Sequence, residues 1–179
     1  MEDLVKFIHR IGRLKDVKRS GWCTRNIHGP ESVADHSFRT ALLALVLTDG
    51  SKLDKNKCIQ MALIHDLGES LIGDITPLDN MSEEKKHYIE MKAIKTLIKD
   101  IGPTEILDLW SEYECRQSPE AKFVYELDRI EMLLQALEYE KKYAEKNIDF
   151  SDFWINVKKD ISNPQILKIF KILKKARSN

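Results

Sequence analysis

Four acidic and imidazole side chains interrupt the hydrophobic pattern of the segments in which they occur. His36 opens an amphipathic segment, the adjacent pair His65 and Asp66 ends the most apolar segment, and Asp128 lies within a long helical pattern. Taken singly, each is better explained as a satisfied core histidine or a carboxylate at a helix end. Together they offer two imidazole nitrogens and two carboxylate oxygens, a donor set that suits a divalent first-row metal, and magnesium less ideally. Such a site leaves positions open for water and a phosphate oxygen, as a metal hydrolase requires.

The sequence around these residues extends the pattern beyond four positions. The extended motifs are, in chain order, Gly21-Trp22-x-x-Arg25-Asn26, Pro30-Glu31-Ser32-Val33-Ala34-Asp35-His36, His65-Asp66-Leu67-Gly68-Glu69, Gly73-Asp74-Ile75 and Glu120-Ala121-Lys122-Phe123-Val124. With this set the chain resembles the HD-domain metal phosphohydrolases, and among them the HD-domain-containing protein 2 group. The resemblance covers residues 4–145. The His-Asp dipeptide alone is a weak signal, whereas the full set in order is specific.

The resemblance implies one divalent metal ion per chain, held by His36, His65, Asp66 and Asp128. Cobalt, manganese, magnesium, iron, nickel and zinc all remain open as the native ion. It also implies that Glu69 is the catalytic acid of the site. Glu69 follows His65 by four residues and Asp66 by three, which places all three on one side of a helix.

The resemblance further implies that substrate enters beside Arg19, Trp22, Arg25 and Asp74. Trp22 could then cover the sugar or base, and an arginine offers forked donors that match a phosphate. The bacterial members have an Arg-Trp pair where this chain has Ser20-Gly21-Trp22. The sequence therefore leaves open which arginine binds the phosphate, and it assigns residues 110–116 only to the pocket wall.

The activity implied by the resemblance is hydrolysis of deoxynucleoside 5′-monophosphates to nucleoside and phosphate. One alternative is an HD phosphohydrolase that acts on another phosphate ester, such as a dNTP or a nucleotide analogue. A second is a catalytically silent HD protein with a regulatory or interaction role, which is disfavoured because all four metal ligands and Glu69 are present. A two-metal cyclic-dinucleotide phosphodiesterase is also disfavoured. Such enzymes add histidines between the HD pair and the last Asp, where only His87 occurs, and His87 is expected on a solvated helix face.

Nearly the whole chain shows the three- and four-residue apolar spacing of α-helices. The predicted helices cover about 4–14, 33–47, 56–67, 82–101, 118–146 and the residues from 163 onward. The segment 56–67 is apolar around most of its circumference, so we expect it to be central and buried. The segment 33–47 collects its apolar residues on one side, namely Phe38, Ala41, Leu42, Leu45 and Val46.

These elements predict an all-α fold, a single HD-domain helical bundle over residues 1–179. Its motif-bearing core covers about 4–145, and C-terminal helices within 151–177 pack on that core. The metal would lie between the second, third and fifth major helices.

Composition bounds the partners and the compartment. The 29 basic and 29 acidic residues cancel, which disfavours a nucleic-acid partner. The three cysteines are far apart and form no C-x-x-C motif, a pattern that fits a reducing compartment. The acidic start at residues 1–3 is unlike a signal peptide, and the longest apolar run, 41–47, is too short to span a bilayer. We therefore expect a cytoplasmic protein with neither a nucleic-acid nor a membrane partner. We also expect a small nucleotide substrate and a homodimer.

Overall fold

The structure, a computed structural model, describes residues 1–76, 79–102, 104–146 and 148–178. Within these residues ten α-helices follow one another and no β-strand occurs. The helices are α1 (Glu2–Gly12), α2 (Ser20–Cys23), α3 (Val33–Leu47), α4 (Lys55–Ile64), α5 (Glu69–Ile72), α6 (Glu83–Ile98), α7 (Ile106–Cys115), α8 (Pro119–Lys142), α9 (Ser151–Asp160) and α10 (Pro164–Arg177). None of these helices combines the length and the apolarity needed to cross a membrane. The predicted all-α fold is confirmed.

Polar residues just before the helices determine where several of them begin. Their side chains accept hydrogen bonds from backbone N–H groups in the first turn, which have no partner within the helix. These capping residues are Ser32, Asp54, Ser82, Ser118 and Asn163. At α3 the cap is reciprocal, because Ser32 accepts from the backbone of Asp35 and the Asp35 carboxylate accepts from the backbone of Ser32.

Several predicted boundaries differ from the structure. The fourth helix ends at Ile64, so the HD pair lies in the turn that follows it rather than inside the helix. α6 ends at Ile98, three residues before the predicted end. α8 ends at Lys142, and a short 3₁₀ turn over 144–146 replaces its predicted last turn. The segment 19–32, which lies between the first two predicted helices, contains the single-turn helix α2.

α8 is the central helix of the described fold. It packs against α3, α4, α7, α9 and α10. Its side chains Leu127, Ile130 and Leu133 are fully buried in the main hydrophobic core, to which α4 contributes Met61. The expected burial of the whole fourth helix is wrong, because Leu63 on its outer side is 49% exposed. A 24-residue helix with neighbours on most sides, rather than the most apolar segment, therefore forms the axis of the bundle.

α3 buries mainly polar and small residues, whereas four of its large apolar residues face outward. The buried side, which packs on α4 and α8, is formed by Val33, His36, Ser37, Thr40, Ala41 and Ala44. The exposed side includes Phe38 and Val46, each 63% exposed, with Leu42 and Leu45 between them. Small residues on the inner side let α3 approach its neighbours closely, so His36 reaches the interior.

A buried carboxylate on α8 holds the junction between the last two helices. Glu126 is 4% exposed, and its carboxylate accepts hydrogen bonds from the backbone N–H (3.0 Å) and the hydroxyl (2.6 Å) of Ser162. It also accepts from the backbone N–H of Asn163 at 2.9 Å. Because a buried charge is tolerated only with such partners, the side chain fixes where α9 ends and α10 begins.

We predict that Glu126→Ala lowers the free energy of unfolding by about 2–3 kcal/mol, because several donors lose their acceptor. Urea denaturation followed by circular dichroism measures the change. The control is Lys122→Ala, at an exposed position of the same helix, where a change within about 0.5 kcal/mol is expected. If the two variants unfold at the same urea concentration, Glu126 does not stabilise this junction.

Candidate metal centre and substrate cleft

Three segments of the fold bring the four predicted ligands together. His36 projects inward from α3, His65 and Asp66 follow α4, and Asp128 lies on α8. The Nε2 atom of His36 is 3.2 Å from Nε2 of His65, 3.2 Å from an Asp128 oxygen and 3.7 Å from an Asp66 oxygen. Ligand atoms of His36, His65 and Asp66 all lie within 4.8 Å of one another. The four side chains thus surround one small volume, as the sequence predicts.

The hydrogen bonds of the two imidazoles leave both Nε2 atoms available as ligands. Nδ1–H of His65 donates to the carbonyl oxygen of Ala62 at 2.8 Å, and Nδ1–H of His36 donates to the carboxylate of Glu131. With Nδ1 protonated, the two Nε2 lone pairs face each other beside carboxylate oxygens. That arrangement is unfavourable unless a proton or a metal ion lies among them, so the residues fit a divalent metal ion.

The electrostatics of the cluster also favour a positive charge. Burial lowers the pKa of His36, yet the carboxylates of Glu131 and Asp128 raise it overall, to about 10. Burial raises the pKa of Asp66, but the His65 imidazole beside it brings that pKa well below the usual range. The carboxylates raise the pKa of the His36 imidazole, and the positive groups beside Asp66 lower the pKa of its carboxyl. The negative field around His36 would also hold a metal cation.

Glu131 and Arg39 support the cluster from behind, and the sequence reasoning missed both. Glu131 is fully buried and accepts a 2.6 Å hydrogen bond from Nε of Arg39, in addition to the one from His36. Arg39 is in turn held by Gln135 at 2.8 Å and by Glu138 at 3.0 Å. This network fixes the orientation of the His36 ring. The sequence did contain a signal for Glu131, because this residue follows Asp128 by three positions and therefore lies on the same side of α8.

Glu69 begins α5 and turns its carboxyl group toward the cleft. The side chain is 5% exposed, and Oε2 has no hydrogen-bond partner among the described residues. Burial, and then the negative charges of Asp66 and Asp74, raise the pKa of Glu69 well above its ordinary value. The structure therefore places a carboxyl group with a raised pKa close to the metal cluster, where an acid–base role is chemically reasonable.

Arg19 is the predicted arginine that lies against the cluster. Its Nη1 donates to an Asp66 oxygen at 3.0 Å and lies 3.9 Å from an Asp74 oxygen. Asp74 also accepts a hydrogen bond from the backbone N–H of Ser20, and its carbonyl accepts one from the Ser20 hydroxyl. Asp74 thus lines the cleft and also anchors the start of α2.

The structure contradicts the expected role of Trp22 as a cover over the substrate. Its side chain is 1% exposed, and its ring packs among Tyr139, Phe150 and Phe153. The indole N–H donates to a carboxylate oxygen of Glu31 at 2.8 Å. Because the ring is enclosed and its polar atom is satisfied, Trp22 supports the cleft wall and has no face free for stacking on a ligand.

Arg25 lies at the rim of the cleft, and its N–H groups donate hydrogen bonds to neighbouring residues. It donates to the carbonyl oxygens of Gly21 (3.0 Å) and Asp149 (3.2 Å) and to the carboxylate of Asp152 (2.6 Å). Its guanidinium carbon also lies 4.4 Å from the centre of the Phe153 ring. Of the two arginines that the sequence proposed for phosphate binding, only Arg19 adjoins the predicted metal ligands.

The cleft beside the cluster has a volume of about 1010 Å³, large enough for a nucleotide. His65, Asp66 and Asp128 line it, as do residues of the 110–116 segment, which was expected there. The His87 side chain is 40% exposed, which agrees with the predicted solvated face, but the residue also borders the cleft. Its ring lines the cleft, stacks on Trp110 with centroids 5.3 Å apart, and lies 3.2 Å from a Glu114 oxygen.

The chain is similar to known proteins over almost its full length. A family model described as an HD domain matches residues 11–168. The chain is 41% identical over 181 residues to a Xenopus laevis protein named 5′-deoxynucleotidase HDDC2, with 99% of this chain and 89% of that protein covered. Its identity to the human protein of the same name is 42% over 178 residues, covering 98% and 86% respectively. A solved structure of a conserved hypothetical protein from Pyrococcus furiosus matches with a TM-score of 0.79 and 31% identity, covering 98% of this chain and 99% of that one.

We predict that His65→Ala weakens binding of Mn²⁺ by more than about 100-fold, because removal of a ligand costs more than removal of a group that only orients one. Isothermal titration calorimetry measures the affinity without requiring turnover, and phosphate release should be lost in the same variant. The control is His9→Ala, at an exposed position of α1. Unchanged Mn²⁺ affinity in His65→Ala would exclude this residue from the ligand set.

Proposed function

This chain belongs to the HD-domain family, and on that basis we propose that it is a metal-dependent phosphomonoesterase. The proposed reaction is hydrolysis of deoxynucleoside 5′-monophosphates to nucleoside and phosphate. The observation that carries the proposal is the convergence of His36, His65, Asp66 and Asp128 beside a cleft that also contains Glu69. The names of the curated relatives at 41–42% identity support the same activity.

We propose that these four side chains hold one divalent metal ion per chain. When bound, such an ion supplies positive charge that stabilises the phosphate and lowers the pKa of water. His36 lies behind the cleft surface, whereas His65, Asp66 and Asp128 line it. The mixed nitrogen and oxygen donors are compatible with cobalt, manganese, iron, nickel, zinc or magnesium.

The roles of the other residues follow from their positions. Arg19 can keep its contact with Asp66 and still offer the other donors of its fork to a phosphate oxygen. Because its pKa is raised, Glu69 is suited to deliver a proton to the 5′-oxygen when the bond from phosphorus to that oxygen breaks. The attacking water loses its proton in the same reaction, so Glu69 can regain one from it.

A phosphate-release screen tests the proposed function and its sugar preference. The protein is stripped of metal and reloaded with each divalent ion in turn. We expect release from dAMP, dCMP and dGMP with little discrimination between bases, and slow release from nucleoside 3′-monophosphates.

Ribonucleotides should be hydrolysed about tenfold to a hundredfold more slowly. An unpaired 2′-hydroxyl in the desolvated cleft costs about 1–3 kcal/mol. Equal kcat/KM for deoxyribonucleotides and ribonucleotides would contradict the proposed sugar preference but not the proposed hydrolase activity. A preference for dNTPs would instead support the alternative phosphate ester, and no hydrolysis with any ion would support the silent scaffold.

The proton-transfer role of Glu69 predicts a separation of binding from chemistry. Glu69→Gln should retain Mn²⁺ but lower kcat by about 10²- to 10⁴-fold, the usual contribution of a general acid or base. The matched control is Glu84→Gln, which removes an exposed carboxylate on the rim of the same cleft. If Glu69→Gln loses its metal together with its activity, Glu69 is a ligand rather than a proton-transfer group.

We further propose that the chain forms a homodimer through the exposed side of α3. Phe38, Leu42, Leu45 and Val46 repeat at helical spacing on that side, and Leu63 of the adjacent α4 is exposed as well. An uncharged apolar stripe is complementary to the same stripe on a second copy related by a two-fold axis.

Size-exclusion chromatography with light scattering tests the dimer. Leu42→Lys combined with Val46→Lys should yield a folded monomer, whereas Ile172→Lys, at an exposed apolar position of α10, should leave the dimer intact. A wild-type monomer, or a dimer in the double variant, would contradict the proposed interface.

The expectations from the sequence about domain organisation, location and nucleic-acid partners remain proposals. We propose that α1 to α10 form a single HD domain; residues 77, 78, 103, 147 and 179 of the predicted span lie outside the described residues. We also propose a cytoplasmic location, which the three unpaired cysteines support. The balanced charge supports the absence of a nucleic-acid partner.

A further inference from the structure

Arg129 is a cleft residue to which the site described above assigns no role. It follows Asp128 directly on α8 and lines the cleft. Its Nε lies 3.9 Å from an Asp128 oxygen and 3.8 Å from an Asp160 oxygen, both distances too long for a hydrogen bond. Nε is buried and has no hydrogen-bond partner among the described residues. The side chain is nevertheless 33% exposed and lines the cleft, so its terminal N–H groups can reach an acceptor supplied by a ligand.

The guanidinium group of Arg129 is held in a fixed orientation by Tyr125. The two residues are one helical turn apart on α8, and the guanidinium carbon lies 4.7 Å from the centre of the tyrosine ring. The Tyr125 hydroxyl donates to Asp160 at 3.2 Å, which fixes the ring. Stacking occupies the flat face of a guanidinium and leaves its edge, which carries the N–H groups, for an anion.

Arg129 and Arg19 flank the predicted metal ligands from two different elements. Arg19, just before α2, lies beside Asp66, whereas Arg129 lies beside Asp128. Both arginines line the same cleft as these two carboxylates. An anion that reaches the metal cluster therefore enters a space with one guanidinium near each carboxylate ligand.

We infer that Arg129 binds the phosphate group of the substrate, together with Arg19. A phosphate monoester has three terminal oxygens, which can be shared among a metal ion and two guanidinium groups. This inference rests on the proposed function for the identity of the ligand. It assigns a binding role to a residue that the motif analysis did not single out.

Binding of inorganic phosphate tests the inference without requiring turnover. Isothermal titration calorimetry on the Mn²⁺-loaded protein should show phosphate affinity about tenfold to a hundredfold weaker in Arg129→Gln than in the wild type. This is the loss expected for charge-assisted hydrogen bonds. Mn²⁺ should still bind to the variant, because no metal ligand is changed. Arg129→Lys, which keeps the charge but not the fork, should give an intermediate affinity and serves as the test if Arg129→Gln does not fold.

Arg13 provides the control, because it is an exposed arginine that does not line the cleft. Arg13→Gln should change phosphate affinity by no more than about twofold. Wild-type affinity in Arg129→Gln, an equal loss in Arg13→Gln, or no phosphate binding by the wild type would overturn the inference. If the wild type binds phosphate through Arg129 yet hydrolyses no nucleotide, the proposed function fails while the phosphate site stands.

Discussion

Several carboxylates lie buried or partly buried at the junction of α3, α4 and α8, and their negative charges must be balanced by the residues around them. Asp66, Asp128 and Glu131 lie within or close behind the predicted metal cluster. Buried charges of one sign are tolerated only when opposite charges or hydrogen-bond donors surround them. Each of these carboxylates accordingly has a guanidinium group nearby, and the three arginines are Arg19, Arg129 and Arg39. These arginines come from three different parts of the chain. Their pairing with the carboxylates therefore helps to hold α2, α3 and α8 in place relative to one another.

The sequence drew attention to the predicted metal ligands because their residue types conflict with their surroundings. An imidazole and a carboxylate at the end of a strongly apolar helix suggest a shared partner, and the resemblance to the HD-domain phosphohydrolases implied the complete set with His36 and Asp128. Glu131 and Arg39 gave no such conflict, since acidic and basic residues on a helix usually form exposed pairs. Their burial depends on how closely α3 approaches α8, which is a property of the packed fold. The sequence also did not reveal which side of α3 faces the core, because several of its large apolar residues are exposed.

Trp22 shows a second limit of sequence reasoning. A tryptophan beside arginines fits a substrate entrance and a hydrophobic core equally well. The aromatic rings that enclose it belong to residues 139–153, more than one hundred positions later in the chain. Helix starts, by contrast, depend on neighbouring residues, and the cap at Ser32 placed the start of α3 where it was predicted.

The two walls of the cleft differ in how tightly they are coupled to the cluster. One wall consists of the segments that carry the predicted metal ligands, whereas Asp152, Phe153 and Asn156 of α9 line the cleft without belonging to the cluster. Glu126 anchors the far end of α9 to the same helix that carries Asp128. A mutation on the inner face of α9 can therefore reshape the cleft while the ligands stay in place. Descendants of one ancestral enzyme could in this way diverge in the molecules they accept and conserve the chemistry they perform.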